Sequence, residues 1–286
     1  MNKLSIKSKV QILNGLSEGM GVNAVSRVTG ASKNTILKLL ADVGDACAAY
    51  QDINMRNLKC TDVQIDEVWS FVGAKEKNVR EDHPEGFGDC YTYTSIDRVT
   101  KLMPCWLVGV RSKACTFDFV ADLASRMAGR ISLTSDGFGA YPDAVDAAFA
   151  GQVDYAILNK SYEGDANPTQ NSRRYSPAKF IRSAKRVVNG NPDHNRISTS
   201  HVERSNLSLR MSNRRFTRLT NVFSRKLANH MHAVIFYFMV YNYVKIHSTI
   251  KTTPALEAGV TEFLWEMEDI VLMTETMRKN FVTDEA

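Results

Sequence analysis

The sequence predicts an α/β protein in which a mixed sheet with helices on both faces follows a small all-α domain. Apolar residues recur at helical spacing from residue 5 to residue 44. From Val63 onwards, alternating and β-branched runs take turns with helical segments. At 286 residues with 44% hydrophobic content, the chain is long enough for one large domain and a small appended one.

The first predicted domain, residues 1–55, has the spacing of a helix-turn-helix unit. Ser26 is small where two helices would touch, and Gly30 follows in the turn. Ile36 and Leu39 would then contact the core from the next helix. This segment, AVSRVTGASKNTILKLL, resembles the helix-turn-helix of many bacterial repressors and recombinases. The alternative is a plain helical bundle used for dimerisation. The side chains predicted to face a DNA major groove are Lys33, Asn34, Thr35 and Lys38.

Residues 42–59 have a weak pattern and are predicted to connect the first domain to a second one, residues 56–260. The second domain has the order strand, hairpin, helix, strand, helix, strand and later helix, which is the order of a ribonuclease-H-like fold. Residues 159–199 are polar and long for a connection, so we expect a functional loop or an insertion there. Residues 261–286 are a C-terminal tail without a predicted role. The predicted strands are residues 63–72, 90–97, 101–110, 130–136 and 153–158, and the predicted helices are residues 117–127, 143–149 and 227–244.

The charge of the chain is distributed unevenly. Residues 173–226, called the basic arm below, contain 14 Lys or Arg and two acids, a net charge of +12 in a chain whose total is +5. The rest of the chain therefore carries −7. Basic arms of this kind are built to meet phosphates, so the composition indicates a nucleic-acid partner.

Three carboxylates fall where the predicted fold would bring them together. Asp66 lies in the middle of the first predicted strand, where a charge is costly unless something binds it. Asp136 directly follows the fourth strand, and Glu203 lies on a predicted helix that would pass over both. An acid inside a phosphate-binding surface repels its ligand unless a cation lies between them. Three oxygen donors suit divalent cations, Mg²⁺ or Mn²⁺, which promote phosphodiester displacement in pairs.

Each carboxylate also has a simpler interpretation. Asp66 could be an acid on an edge strand, with Glu67 as its nearest rival for the role, and Asp136 could cap the turn that follows it. Glu203 falls three residues after Ser200, the spacing of a helix capping box, with Val202, Leu207 and Leu209 as the apolar side of that helix. The acids that compete with Glu203 for the third position are Glu163 and Asp165.

Three blocks of sequence carry a family resemblance: QIDEVWSFVG, LTSDGFGAYPDAV and HVERSNLSLRMSNRRFTRLTNVFSRK. They resemble those of insertion-sequence-one type transposases, members of the Asp-Asp-Glu transposase and retroviral-integrase superfamily. The ending NYVKIHSTIKTTPALEAG is similar to the tail of integrase-like catalytic domains, so the resemblance covers roughly residues 60–260. It implies Asp66, Asp136 and Glu203 as the metal-binding catalytic triad, and Asn206 beside Glu203. It also implies Arg210 as a contact to transposon-end phosphates, whereas the arginines expected to hold DNA beyond the site are Arg214, Arg215 and Arg218.

The resemblance and the residue patterns together predict a DNA transposase that depends on Mg²⁺ or Mn²⁺. It would bind terminal inverted repeats of double-stranded DNA, nick them by water attack and join the 3′-hydroxyl to target DNA as a homo-oligomer. The family often has a cysteine zinc finger before its helix-turn-helix, and this sequence has none, so end recognition would rest on residues 1–55 and the basic arm. The rivals are a non-catalytic helix-turn-helix regulator with a degenerate nuclease-like domain and a metal-dependent nuclease without strand joining.

The cellular location follows from simple features of the sequence. The basic start MNKLSIKSKV is followed by no apolar segment, and the longest apolar run is well below the roughly 20 residues of a spanning helix. We therefore expect a cytoplasmic, nucleoid-associated prokaryotic protein without a membrane partner. Five cysteines without C-x-x-C spacing favour free, buried thiols over disulfides or a zinc finger.

Overall fold

A single six-stranded mixed sheet with helices on both sides organises the protein, which is seen in a computed structural model that describes residues 4–162, 180–217 and 221–283. The strands are β1 (Asp62–Val72), β2 (Gly88–Asp97), β3 (Trp106–Gly109), β4 (Ile131–Ser135), β5 (Val153–Tyr162) and β6 (Phe180–Asn189). The helices are α1 (Ile6–Ser17), α2 (Val22–Thr29), α3 (Lys33–Asn54), α4 (Lys113–Arg126), α5 (Tyr141–Phe149), α6 (Ser200–Ser212), α7 (Leu227–Met239), α8 (Pro254–Glu257) and α9 (Met267–Thr283).

The strand order β3-β2-β1-β4-β5-β6 confirms the predicted ribonuclease-H-like fold. The first three strands form an antiparallel meander, and β4 and β5 add to β1 in parallel after helical crossovers. The final strand, β6, returns antiparallel to β5. Parallel neighbours β1 and β4 lie at the centre of the sheet, so the ends of these two strands meet near its middle.

The N-terminal region is helical, as predicted, and its three helices lie at the predicted positions. Gly30 ends α2 in the left-handed conformation with φ of 73°. The Ser26 hydroxyl donates to the carbonyl of Ala31 at 2.7 Å, which fixes the turn. Ser32 caps α3 by accepting from the backbone N–H of Thr35 at 3.1 Å. Ile36, as expected, is fully buried.

The connector predicted for residues 42–59 is wrong, because α3 continues through most of it to Asn54. Val43 and Cys47 are fully buried, and Gly44 lets the helix approach α7 so closely that an added Cβ would lie 2.8 Å from His232. One hydrophobic core therefore runs from the N-terminal helices into the sheet. The division into domains at residue 55 stays a prediction.

The third strand is shorter than predicted, and residues 159–199 contain more structure than predicted. β3 covers only Trp106–Gly109 of residues 101–110, since Pro104 cannot donate to a strand ladder. Within the supposed insertion, β5 extends to Tyr162 and Phe180–Asn189 forms β6. Glu163 and Asp165 lie outside the described residues.

The C-terminal segment, which had no predicted role, packs on the N-terminal helices. Lys9 of α1 pairs with Glu275 of α9 at 2.6 Å, and Arg278 pairs with Asp42 of α3 at 2.6 Å. Ile270 of α9 is fully buried in the common core. Helix α9 thus stabilises the packing of the N-terminal helices through ion pairs and buried apolar contacts.

Two smaller expectations concern cysteines and membrane spans. All five cysteines are free, and four are buried. Across the described residues, no helix combines the length and the apolar character that a membrane crossing requires.

Candidate metal and nucleic-acid site

The site begins where β1 and β4 separate. Their parallel register pairs Val63 with Leu133 and Gln64 with Thr134, and the pairing ends there. Continuing that register would set Asp66 opposite Asp136. Because the two strands part at this level, space opens between them for side chains instead of backbone hydrogen bonds.

Three acidic side chains occupy this opening: Asp66, Glu67 and Asp136. One oxygen of each carboxylate lies within 4.8 Å of the others. The Glu67 side chain is buried, whereas that of Asp136 is partly exposed. Below, these residues are called the acidic cluster. The sequence predicted that Asp66 and Asp136 would lie close together. Glu67 was predicted only as an alternative to Asp66 for the metal-binding role, and not as a second acid of the same site.

Asp66 is held on the side of the sheet that faces α6. Asn206 donates from its amide nitrogen to the Asp66 carboxylate at 2.7 Å, and the amide oxygen of Asn206 accepts from the Thr94 hydroxyl at 3.0 Å. The Thr94 hydroxyl also lies 3.2 Å from the backbone carbonyl of Asp66, so the two oxygens share its single proton. Burial, then the charges of Glu67 and Asp136, raise the pKa of Asp66 to about 7.

Glu67 lies on the other side, against α5 and a single guanidinium. Arg111 approaches Glu67 at 3.4 Å and Asp136 at 4.0 Å, and it stacks on the ring of Phe138 at 3.9 Å. Burial raises the pKa of the Glu67 carboxyl above its usual range. A hydrogen bond from the Tyr141 hydroxyl, and then the charge of Arg111, oppose this rise. The site thus holds less positive charge than its three acids require.

Helix α6 is docked over β1 by a buried glutamine. The Oε1 atom of Gln64 accepts from the backbone N–H groups of His201 at 2.9 Å and Val202 at 3.2 Å. These are free donors in the first turn of a helix, so a strand residue performs the capping that a local side chain usually supplies. The capping box predicted from Ser200 is wrong, since Ser200 is the first residue of α6 and Thr199 precedes it.

Glu203 lies one turn before Asn206 but outside the acidic cluster. Its Oε1 atom forms an ion pair with Lys160 of β5 and accepts from the Thr199 hydroxyl at 2.6 Å. Its charge still acts on Asp66, as the last of the causes that raise the Asp66 pKa. Leu207, expected on the apolar side of this helix, is exposed.

The predicted DNA-binding side chains occupy two surfaces. Lys33, Asn34, Thr35 and Lys38 are all exposed on the first turns of α3. Arg210 is half-buried in the last turn of α6, Arg214 is exposed after it, and Arg215 is half-buried. Arg218 lies outside the described residues.

The donor set of the acidic cluster fits a divalent cation. Carboxylate oxygens are the ligands that Mg²⁺ and Mn²⁺ prefer, and three of them are crowded together here. A bound cation would offset their repulsion and the burial of Asp66. Within residues 4–162, 180–217 and 221–283, Asp66, Glu67 and Asp136 are therefore the cluster that could hold a metal directly.

Comparisons with known proteins give distant structural likenesses and no match by sequence. No protein-family model matches the sequence, and no curated protein matches it. Among solved structures, a piggyBac transposase synaptic complex with hairpin DNA has 10% identity and a TM-score of 0.39, covering 98% of this chain and 71% of that chain. The Mos1 strand transfer complex has 10% identity and a TM-score of 0.24, and the Mos1 mariner paired end complex with Mn has 11% identity and a TM-score of 0.22. Each of the two Mos1 matches covers 54% of this chain and 59% of the Mos1 chain. TM-scores this low do not identify a function, and the fold is assigned from the strand order and the strand register.

The raised pKa of Asp66 predicts a pH-dependent stability in metal-free protein. Because the folded state binds this proton more tightly than an unfolded aspartate does, the stability from Asp66 is full below about pH 4 and falls as the pH rises to about 7. The measurement is the free energy of urea unfolding of wild type and Asp66→Asn in chelator, from pH 4 to pH 8. We expect wild type to lose stability relative to the variant as the pH rises. A difference that stays constant over this range would contradict the assigned environment of Asp66.

Proposed function

We propose that the protein is a DNA transposase of the insertion-sequence-one type, a metal-dependent polynucleotidyl transferase that cleaves transposon ends and joins them to target DNA. The observation that carries the proposal is the acidic cluster, at the point where the central strands of a ribonuclease-H-like sheet separate. A buried set of carboxylates in this position is costly, and divalent-metal chemistry gives it a use. The proposal includes a cytoplasmic, nucleoid-associated location, since the substrate is DNA.

Asp66, Glu67 and Asp136 would hold the cation, and Glu203 would join them from α6. When bound, Mg²⁺ or Mn²⁺ at these carboxylates would supply Lewis-acid activation of the attacking and leaving oxygens of a phosphodiester. Glu203 is supported by its position one turn from Asn206, which touches Asp66, and by its electrostatic effect on Asp66. To take part, its carboxylate has to leave Lys160.

The side chains around the acidic cluster would orient its carboxylates and balance their negative charge. Asn206, which Thr94 also contacts, orients the Asp66 carboxylate at 2.7 Å. Arg111 lies beside two of the acids and would balance their charge while the site is free of metal. Lys160 would be available to a DNA phosphate once Glu203 releases it. Positioning and charge neutralisation are what phosphoryl transfer chiefly requires.

Double-stranded DNA would contact the protein at two places. The exposed polar turn at the start of α3 would read the terminal repeats in the major groove. The basic arm, with its net charge of +12, would hold the backbone near the acidic cluster. Synapsis of two ends implies a homo-oligomer assembled on DNA.

The catalytic roles predict that Asp66→Asn, Asp136→Asn and Glu203→Gln each lower cleavage and strand transfer by about 10²–10³-fold, because each removes a negatively charged oxygen donor. The assay uses DNA that flanks the coding sequence on both sides, a labelled target plasmid and Mg²⁺ or Mn²⁺. It measures 3′-hydroxyl release and joined product. Glu67→Gln, measured alongside, shows whether the fourth acid belongs to the reaction.

The matched control is Asp118→Asn, an exposed carboxylate on α4 that should leave the rate unchanged. If folded Glu203→Gln keeps full activity, Glu203 is not a ligand. Wild-type protein that binds DNA but neither cleaves nor joins it with either metal would instead favour the non-catalytic regulator.

Removing the two exposed lysines of the α3 turn should weaken binding of the flanking DNA. Lys33→Ala with Lys38→Ala removes two phosphate-pairing charges, so the slope of log affinity against log salt should fall by about 1.8. Fluorescence anisotropy at several salt concentrations measures this slope. The charge-matched control is Lys59→Ala with Lys77→Ala, two exposed lysines outside the helix-turn-helix. Equal slopes for the two double variants would move end recognition away from α3.

A further inference from the structure

A second concave site lies on the other side of α6 from the acidic cluster. A cavity of about 960 Å³ opens between α6, α7, the α1–α2 turn and residues 221–225. The α6 side chains that line it include Arg204, Ser208 and Ser212, whereas Glu203 and Asn206 are not among its lining residues. The two sites therefore share one helix and use different sides of it.

The cavity is strongly basic. Six of its lining residues are Lys or Arg, and one is acidic, Glu18. A wall with this balance attracts anions and rejects cations. The six basic residues are Lys101, Arg204, Arg214, Arg215, Arg225 and Lys245.

Arg215 is fixed by a neutral partner. Its guanidinium donates to the Ser224 hydroxyl at 2.7 Å, and in the described part of the chain it forms no ion pair with a carboxylate. Burial lowers its pKa to about 10, so it still carries its charge at neutral pH. A half-buried guanidinium without a counter-ion is unfavourable unless an anion joins it.

A directed chain of hydrogen bonds holds Ser224 in place. Ser70 donates its only hydroxyl proton to the carbonyl of Cys90 at 3.1 Å. The Ser70 oxygen must therefore accept the hydrogen bond from the N–H at Nε2 of His230, which lies 3.2 Å away. The other ring nitrogen, Nδ1, then accepts from the Ser224 hydroxyl at 3.3 Å, which leaves Ser224 to accept from Arg215. Burial, and then Arg215, lower the pKa of His230 to about 3, so this chain is neutral. It orients the guanidinium and leaves its charge uncompensated.

Tyr237 supplies a second unsatisfied group in the same cavity. Its side chain is 8% exposed, and its hydroxyl has no hydrogen-bond partner in the described residues. A buried hydroxyl without a partner costs folding free energy, so removing it should not destabilise the protein. Its presence here is explained if a ligand accepts its proton. The cavity therefore presents donors and positive charge, which suit an acceptor-rich anion.

We propose that this cavity is a phosphate-binding site in which Arg215 and Tyr237 contact the phosphate oxygens. The phosphate is either part of a DNA backbone, a reading that rests on the proposed function, or belongs to a free phosphate or nucleotide. The site is separate from the acidic cluster and needs no metal. It also gives a specific role to one arginine of the basic arm.

The test compares wild type, Arg215→Gln, Tyr237→Phe and the exposed control Arg80→Gln, all as full chains in chelator. One arm measures the rise in thermal midpoint with inorganic phosphate against chloride at equal ionic strength. The other arm measures the affinity of the flanking duplex DNA at several salt concentrations. Chelator removes any contribution of metal-dependent chemistry.

We expect Arg215→Gln to weaken phosphate binding about ten-fold, and Tyr237→Phe to weaken it several-fold without lowering the midpoint of the ligand-free protein. If the phosphate belongs to DNA, Arg215→Gln also lowers the salt slope of duplex binding by about one. If the phosphate belongs to a free ligand, Arg215→Gln loses the phosphate-induced rise in thermal midpoint, and its salt slope of duplex binding equals that of wild type.

Phosphate effects in both variants equal to those of wild type and Arg80→Gln, together with an unchanged slope, would overturn the proposal. Its failure is distinguishable from failure of the proposed function. A protein that binds phosphate through Arg215 but neither binds nor cleaves the duplex would retain this site and lose the transposase assignment.

Discussion

The mutual repulsion of three carboxylates within 4.8 Å is the constraint on which the site depends. The separation of β1 and β4 creates the space for the three side chains, and groups on the surrounding elements partly offset their negative charge. Arg111 meets two of the acids, Asn206 donates to the third, and burial with its neighbours' charges favours a proton on Asp66 in the metal-free state. The arrangement costs stability, as functional sites commonly do, and a divalent cation would repay that cost.

The parts of the structure that could be predicted are those fixed by local pattern. Alternation in β1, the apolar spacing of the N-terminal helices and Gly30 in the turn each specify their element without help from distant residues. The order of the elements then gives the strand order, and the strand order brings Asp66 and Asp136 together. This much followed from the sequence because each step depends on short-range chemistry or on a topological rule.

The remaining features depend on contacts between distant segments. Glu67 should point away from Asp66 by strand alternation, and it joins the cluster only because β1 and β4 separate. Gln64 caps a helix more than a hundred residues later, and Lys160 pairs with Glu203 across β5 and α6. The edge strand β6 is exposed on both faces, so it lacks the alternating pattern that identifies a half-buried strand.

Helix α6 separates two chemically opposite sites, the acidic cluster on one side and the basic cavity on the other. We propose that the acidic cluster holds a divalent metal. Anomalous diffraction from crystals grown with Mn²⁺ tests it most directly. We expect an anomalous peak bound by oxygens of Asp66 and Asp136, with Glu203 turned away from Lys160 towards it. Saturating Mn²⁺ with no anomalous peak at these carboxylates, and Arg111 still against Glu67, would contradict it.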